Sequence, residues 1–213
     1  MKKLCMAFTA LAAVGAWLIA QEAGTEKQAD KAAVVKLPEP DKSGGKPLMQ
    51  ALNERKSSRA FSEKDISMET LSSLLWAGFG VNRPDGKRTA PTARNSQDIT
   101  IYLLTPKGAF MYDAKANTLV TRSETDHRDA VITQAWGKKA PLMLLIAQTT
   151  QGEPTLWGAM HAGSIYQNVS LFNASEGLGD VVVGTYNAEA ARKAVNLPEN
   201  QRIIIGQIIG YPQ

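Results

Sequence analysis

The chain has 213 residues, of which 44% are hydrophobic and 21% are charged, and its formal net charge is +4. These values are ordinary for one globular domain with a sizeable core. The positive charge is too small to indicate a nucleic-acid partner, and the sequence lacks the interleaved aromatic and basic residues that bind single strands. We therefore expect no nucleic acid among its partners.

The first twenty residues, MKKLCMAFTALAAVGAWLIA, begin with two lysines and continue as an apolar run. A basic start, an apolar stretch and small residues near its end are typical of a secretory signal. We predict a signal peptide over residues 1–23, cleaved after Ala20 or Ala23, and export to a bacterial periplasm. The alternative is an uncleaved anchor, since the run is near the lower length limit for a membrane span. It would be the only membrane contact.

Cys5 is the only cysteine, so a chain without its signal has neither a disulfide nor a thiol nucleophile. The residues that follow are polar and charged and are interrupted by prolines and glycines, which predicts a flexible linker over residues 24–46. Within it, the short segment VVKLP is a candidate for an arm that packs on the domain. The remaining residues, 47–213, form the predicted domain.

Pro47 suits the first turn of a helix, and the apolar residues behind it predict a short helix over 47–56. Ser67 can cap a second helix, whose apolar positions recur at helical spacing: Leu71, Leu74, Leu75 and Gly78. Residues 80–98 are rich in glycine, proline, asparagine and aspartate and predict a long loop. Loops of this length without periodicity are usually functional or disordered.

The second half of the chain alternates between apolar runs and helical patterns. It predicts strands at 99–105 and 109–122 with a hairpin near 113–117, a helix around 126–138, a buried strand at 141–148, a long helix at 155–176, a strand at 180–186, a short helix at 188–195 and a strand at 202–212. This succession predicts an α+β fold with a central mixed or antiparallel sheet, flanked by helices on both faces.

Three cations surround two serines where the first helix ends: Arg55, Lys56 and Arg59 around Ser57 and Ser58. A guanidinium fork suits phosphate oxygens, and serine hydroxyls add donors. However, cations at a helix C-terminus also stabilise the helix, by about 0.3–1 kcal/mol each. From these residues alone, a phosphate site and a solvated helix end both remain possible.

The order of motifs along the chain resembles the nitroreductase-like flavoprotein family, in particular the branch that includes the thiazoline and oxazoline dehydrogenases of peptide maturation. Arg55, Ser57, Arg59 and Phe61 match the family's Arg-x-Ser-x-Arg-x-Phe element, and LLWA at 74–77 matches its next helix. A later loop and the segment YQNVSLFNASEGLGDVVVG match a Pro-Ser-x-x-Asn-like loop and the family's long helix with its Gly-Leu-Gly turn. The resemblance covers about 47–212 and implies a nitroreductase-like fold.

The resemblance implies FMN, bound without covalent attachment at the interface of a homodimer. Arg55, Lys56 and Ser57 would hold the phosphate and ribityl chain, and Arg59 would approach the pyrimidine edge of the ring. The loop with Pro91, Thr92 (threonine in place of serine) and Asn95 would cover the ring from the same subunit or its partner. Val183 and Gly184 would lie along the flavin face near N5.

The family's basic residues beyond the last strand have no counterpart before Gln213. Phosphate binding would then rest on Arg55 and Lys56, helped by Arg94. The implied function is an exported FMN-dependent oxidoreductase that transfers a hydride or electrons to or from a small organic substrate such as a nitroaromatic or a quinone. No catalytic side chain is identifiable. The alternatives are a non-catalytic flavin-binding protein and a dimeric interaction scaffold that retains the fold.

Other candidate motifs point elsewhere only weakly. His127 and His161 are the only histidines and have no ligand cluster around them, so we expect no metal site, and we expect His161 to be a hydrogen-bonded packing residue. GLGDVVVG follows a helix and precedes a strand, which is the wrong order for a dinucleotide-binding turn. Ser164 and Ser170 lack a recognisable base and orienting acid.

Overall fold

The computed structural model describes residues 32–213, so the predicted signal peptide and the first residues of the predicted linker lie outside the described part of the chain. Seven strands in these residues form one antiparallel sheet: β1 (Val34–Lys36), β2 (Ile99–Thr105), β3 (Gly108–Asp113), β4 (Thr118–Ser123), β5 (Leu142–Thr149), β6 (Gly179–Val183) and β7 (Gln201–Gly210). Their order across the sheet is β1-β4-β3-β2-β5-β7-β6. The last strand of the chain thus lies between two earlier ones.

Five α-helices in the described part of the chain accompany the sheet: α1 (Leu48–Glu54), α2 (Met68–Phe79), α3 (Arg128–Val131), α4 (Leu156–Glu176) and α5 (Ala188–Ala194). Three of them begin with a polar side chain that accepts a backbone N–H of the first turn: Ser67, Thr155 and Asn187. Gly177, in the left-handed conformation at φ 73°, ends α4. Between residues 32 and 213, no helix combines the length and the apolar character that crossing a bilayer requires.

The helices cover both faces of the sheet. Side chains of β2 alternate between two cores, with Ile101 and Leu103 on the α2 and α4 face and Tyr102 and Leu104 on the face of α3 and α5. The predicted α+β fold with helices on both faces is confirmed, and every named strand pair is antiparallel.

The prediction of one helix around 126–138 is wrong. α3 has only four residues, and a separate 3-10 turn, Ala135–Gly137, follows it. At Ile132 the backbone is already extended. A Cβ on Gly137 would lie 2.8 Å from Cδ1 of Ile208. This segment therefore follows the close packing against β7 instead of continuing the helical pattern.

The segment VVKLP does pack as an arm. Val34, Val35 and Lys36 pair with β4, and the side chain of Leu37 is buried in the core next to α2. The carbonyl of Pro38 accepts hydrogen bonds from Ser72 Oγ and Asn117 Nδ2. The residues from Ala32 to Gln213 form one compact unit.

Candidate functional site

The cationic segment after α1 lies against the edge of the sheet. Ser57 forms an isolated parallel bridge with Asp180 at the start of β6, and the N–H of Ser58 donates to the Asp180 carbonyl at 2.8 Å. Further on, Phe61 is buried and bridges to Pro212. These two anchors hold the cationic segment beside β6.

A glycine makes this approach possible. A Cβ on Gly179 would lie 2.5 Å from Oγ of Ser58, which is closer than real Cβ atoms come to their neighbours. The absence of a side chain at this position is therefore what allows the segment to lie directly on the strand.

A cavity of about 430 Å³ opens at the same place. Its lining includes Lys46, Arg55, Lys56, Ser58 and Asp180. The Nζ of Lys46 is 2.6 Å from the carboxylate of Glu54. In residues 32–213, neither Arg55 nor Lys56 is within ion-pair distance of a carboxylate.

Arg55 and Lys56 thus bring two positive charges without an ion-pair partner to a cavity that the carboxylates of Glu54 and Asp180 also line, and such cations are the donors that a phosphate site uses. The other two predicted residues of the segment, Ser57 and Arg59, are exposed beside the cavity and do not line it.

Among the described residues, no strand pairs with the outer edge of β6 beyond the bridge to Ser57. Val181 and Val183 lie opposite Ile208 and Gly206 of β7. Because backbone N–H and C=O groups alternate between the two edges of a strand, the polar groups of Val182 and Gly184 face the same outer edge as those of Asp180.

Gly184 is four positions after Asp180, which corresponds to about 13 Å along a strand. A Cβ on Gly184 would meet no described atom within 4 Å. Open space therefore lies beside this end of β6.

The second predicted group, Pro91, Thr92 and Asn95, lies on a strained loop. Arg94, Asn95 and Gln97 have φ values of 53°, 55° and 46°, which non-glycine residues adopt only when their surroundings hold them there. Thr92 Oγ1 accepts the N–H of Gln97. The N–H of Ala93 donates to Nε2 of His161 at 2.8 Å.

His161 is held in one tautomer by its two neighbours. Its Nε2 accepts from Ala93, so the neutral ring carries its proton on Nδ1 and donates it to Asp98 Oδ1 at 2.8 Å. Burial acts to raise the pKa of Asp98, but hydrogen bonds from Gln148, Ser96 and His161 outweigh it, so this pKa lies below its usual value. His161 is the hydrogen-bonded packing residue expected from the sequence, and it also holds the loop.

The two predicted groups lie at different places along α4. The cavity is lined by Ser170, Ala174 and Gly177 near the end of this helix, whereas the loop is attached to His161 in its first half. The thirteen residues from 161 to 174 correspond to about 20 Å of helix. One chain therefore does not bring both groups into a single compact site.

Large apolar side chains are exposed on two helices: Leu48, Met49 and Leu52 of α1, and Leu156, Trp157 and Met160 of α4. Trp157 is 59% exposed and Met49 is 74% exposed. Large apolar side chains that are exposed in groups mark an interaction surface more often than singly exposed ones do. It lies on the two helices that flank the cavity and the loop.

The sequence matches the Nitroreductase family over residues 52–211, and the chain belongs to this family. A relative from Methanocaldococcus jannaschii, named as a nitroreductase, is 27% identical over 169 residues, which are 71% of this chain and 85% of the relative.

Similar solved structures agree with this family assignment. A crystal structure from Ralstonia eutropha, titled as a nitroreductase, shares 35% identity with a TM-score of 0.79 and covers 86% of this chain and 91% of its own. A structure from Anabaena variabilis, also titled as a nitroreductase, has a TM-score of 0.72 at 17% identity and covers 85% of this chain and 42% of its own, so it supports the fold alone.

The predictions of a nitroreductase-like fold and of an oxidoreductase are thereby confirmed. The assignment to the thiazoline and oxazoline dehydrogenase branch stays a prediction.

Proposed function

We propose that the protein is an FMN-dependent oxidoreductase that works as a homodimer and exchanges a hydride or electrons with a small organic substrate such as a nitroaromatic or a quinone. The observation that carries the proposal is the cavity with unpaired Arg55 and Lys56 at the start of an open strand edge. Family membership supports the oxidoreductase class. The substrate class and the cofactor are the proposed part.

The residues present fit FMN. Arg55 and Lys56 supply donors for a phosphate, with Ser57 and Ser58 beside them. The outward backbone groups of Val182 and Gly184 can hydrogen-bond the polar atoms of the ring, and the open space at Gly184 leaves room for the ring to approach. The strand between them supplies the length that an elongated ligand needs.

Bound FMN would supply the hydride and electron transfer, and the protein would supply position and electrostatics. Arg59, exposed next to the cavity, would place a positive charge at the pyrimidine edge of the ring. A cation there favours negative charge on that edge and raises the reduction potential. No side-chain acid or base is assigned to the reaction.

A homodimer would bring together the cationic cavity and the loop with Pro91, Thr92 and Asn95, which lie apart in a single chain. A second copy that packs its exposed α1 and α4 side chains against the first would bring its loop with Pro91, Thr92 and Asn95 to the cavity and the open edge of its partner. The apolar character of Leu156, Trp157 and Met160 supports such an interface. Export to the periplasm remains part of the proposal, because the predicted signal lies outside the described residues.

The proposal is tested by purifying the protein and recording its absorbance. We expect a yellow protein whose flavin band disappears on anaerobic reduction and returns with a nitroaromatic or a quinone. Bound flavin that is reduced but not reoxidised by either compound would instead support a non-catalytic flavin-binding protein.

The double variant Arg55→Ala with Arg59→Ala should fold normally and be colourless, because it loses the phosphate contact and the cation at the ring. A matched control removes two cations elsewhere, Lys115→Ala with Arg192→Ala, and should keep the colour. Circular dichroism checks folding of both. Full flavin content in the Arg55 and Arg59 double variant would contradict the proposed site.

A further inference from the structure

Asp180 is a charged residue in an otherwise apolar strand, and it is only 4% exposed. Its Oδ2 accepts hydrogen bonds from Ser170 Oγ and from Gln207 Nε2, both at 2.7 Å. Gln207 is itself fully buried and also donates to the carbonyl of Tyr166. The carboxylate is therefore held in one orientation by α4 and β7.

The other carboxylate oxygen, Oδ1, receives no hydrogen bond from residues 32–213. Asp180 is also part of the lining of the cationic cavity. Oδ1 is not among the fully buried side-chain atoms that lack a partner in these residues, so it is accessible from the cavity. Oδ1 of Asp180 is therefore a fixed hydrogen-bond acceptor in the cavity that is free to bind a donor of a ligand.

The place of Asp180 along β6 restricts which part of a ligand supplies that donor. Arg55 and Lys56 lie beside the start of the strand, and Gly184 lies just beyond its end. A phosphate has no hydrogen to donate as a dianion and would be repelled by a carboxylate. Asp180 lies opposite Ser57 at the start of β6, so the hydroxyl groups that directly follow a phosphate in the ligand would come close to it and would form strong O–H···O⁻ hydrogen bonds.

We propose that Asp180 is a flavin-binding residue that accepts a hydrogen bond from the ribityl chain through Oδ1. This inference rests on the proposed function. It assigns recognition of the polyol to the buried carboxylate and recognition of the phosphate to Arg55 and Lys56. The two contributions are separable, because riboflavin lacks the phosphate and lumiflavin lacks the whole ribityl chain.

The test is Asp180→Asn, reconstituted with FMN, riboflavin and lumiflavin, with the dissociation constants measured from quenching of flavin fluorescence. The internal partners of Asp180 both donate, so the asparagine carbonyl oxygen should keep these contacts and turn its NH₂ group to the cavity. An acceptor is thereby replaced by a donor at almost unchanged shape. We expect FMN and riboflavin to bind about 10- to 100-fold more weakly and lumiflavin to bind as in the wild type.

Asp126→Asn is the matched control, since the Asp126 carboxylate is also hydrogen-bonded, to Arg128, but lies outside the cavity. It should leave all three constants unchanged. Arg55→Ala should weaken FMN and spare riboflavin. Should Asp180→Asn fail to fold, Asp180→Ser replaces the carboxylate with a smaller neutral group and is expected to show the same pattern.

Unchanged FMN and riboflavin binding by folded Asp180→Asn, or an equal loss for lumiflavin, would overturn the role of Asp180. A wild-type protein that binds FMN in the same assay shows that only this role has failed. A wild-type protein that binds none of the three flavins overturns the proposed function itself, and the inference with it.

Discussion

Gly179 shows how strongly a single residue controls the position of the cationic segment. A Cβ at this position would lie 2.5 Å from Oγ and 2.7 Å from Cβ of Ser58. Gly179→Ala should therefore displace the segment, lower the free energy of unfolding by about 1–3 kcal/mol and weaken FMN binding.

The matched control is Gly152→Ala, where a Cβ would meet nothing within 4 Å. Urea unfolding and FMN titration of both variants provide the comparison. Equal FMN affinity in the two variants would show that the segment does not have to lie on β6 for binding.

A second prediction concerns how the stability of the fold depends on pH, and it rests on Asp98. Its pKa in the folded protein lies below the ordinary value of 3.8, so its ionised form stabilises the fold at neutral pH, and this stabilisation is lost as the pH falls below 3.8 towards the folded pKa. Asp98→Asn places an amide among the donors Gln148, Ser96 and His161. We expect the loss of stability in this variant to be large at pH 7 and to shrink at pH 3.

Urea unfolding at both pH values measures this difference. Asp65→Asn removes an exposed carboxylate that accepts no hydrogen bond from residues 32–213, and it should show little loss at either pH. A loss in Asp98→Asn that is the same at pH 7 and pH 3 would be inconsistent with the stabilising role of the ionised carboxylate.

Elements with local signals were predictable from the sequence. The strand predicted at 99–105 is β2 (Ile99–Thr105), and the helix predicted at 155–176 is α4 (Leu156–Glu176) between its cap Thr155 and Gly177. The helix expected around 126–138 is interrupted at Ile132, whose backbone is extended and whose side chain is buried in the core with Val131. Local propensity decides an element only where tertiary contacts do not oppose it.

In the candidate site, too, the features with a local sequence signal were predictable, and those set by tertiary contacts were not. The cationic segment could be found because its cations and serines are consecutive in the sequence. The attachment of the loop could not, since Asp98 and His161 meet across 63 positions of the chain. Asp180 did carry a signal, a charged residue directly before VVV, but its partners Ser170 and Gln207 appear only in the folded protein.

At the scale of the whole molecule, the proposed homodimer depends on apolar side chains that a single chain leaves in water. Trp157→Glu places a charge in the α4 part of this surface, where burial against a second copy would be costly. We expect the variant to be folded and monomeric and to bind FMN much more weakly than the wild type. Analytical ultracentrifugation with and without FMN measures both effects.

Ala116→Glu introduces the same charge in the exposed turn between β3 and β4 and should leave a dimer. A Trp157→Glu protein that remains dimeric would place the interface elsewhere. A monomeric wild type would remove the reason for expecting the loop of Pro91, Thr92 and Asn95 to reach a neighbouring cavity.

The position of β7 between β5 and β6 also has a consequence for the timing of folding. Strand β6 has no neighbour along most of its length until residues 201–210 have been made, and the inner edge of β5 stays unfilled until then. A nascent chain that stops before this point keeps unpaired edges on β5 and β6 and an incomplete hydrophobic core, and such edges favour aggregation. Synthesis must therefore pass residue 210 before the sheet can be completed, and termination before that residue should yield protein that is degraded rather than a partly working enzyme.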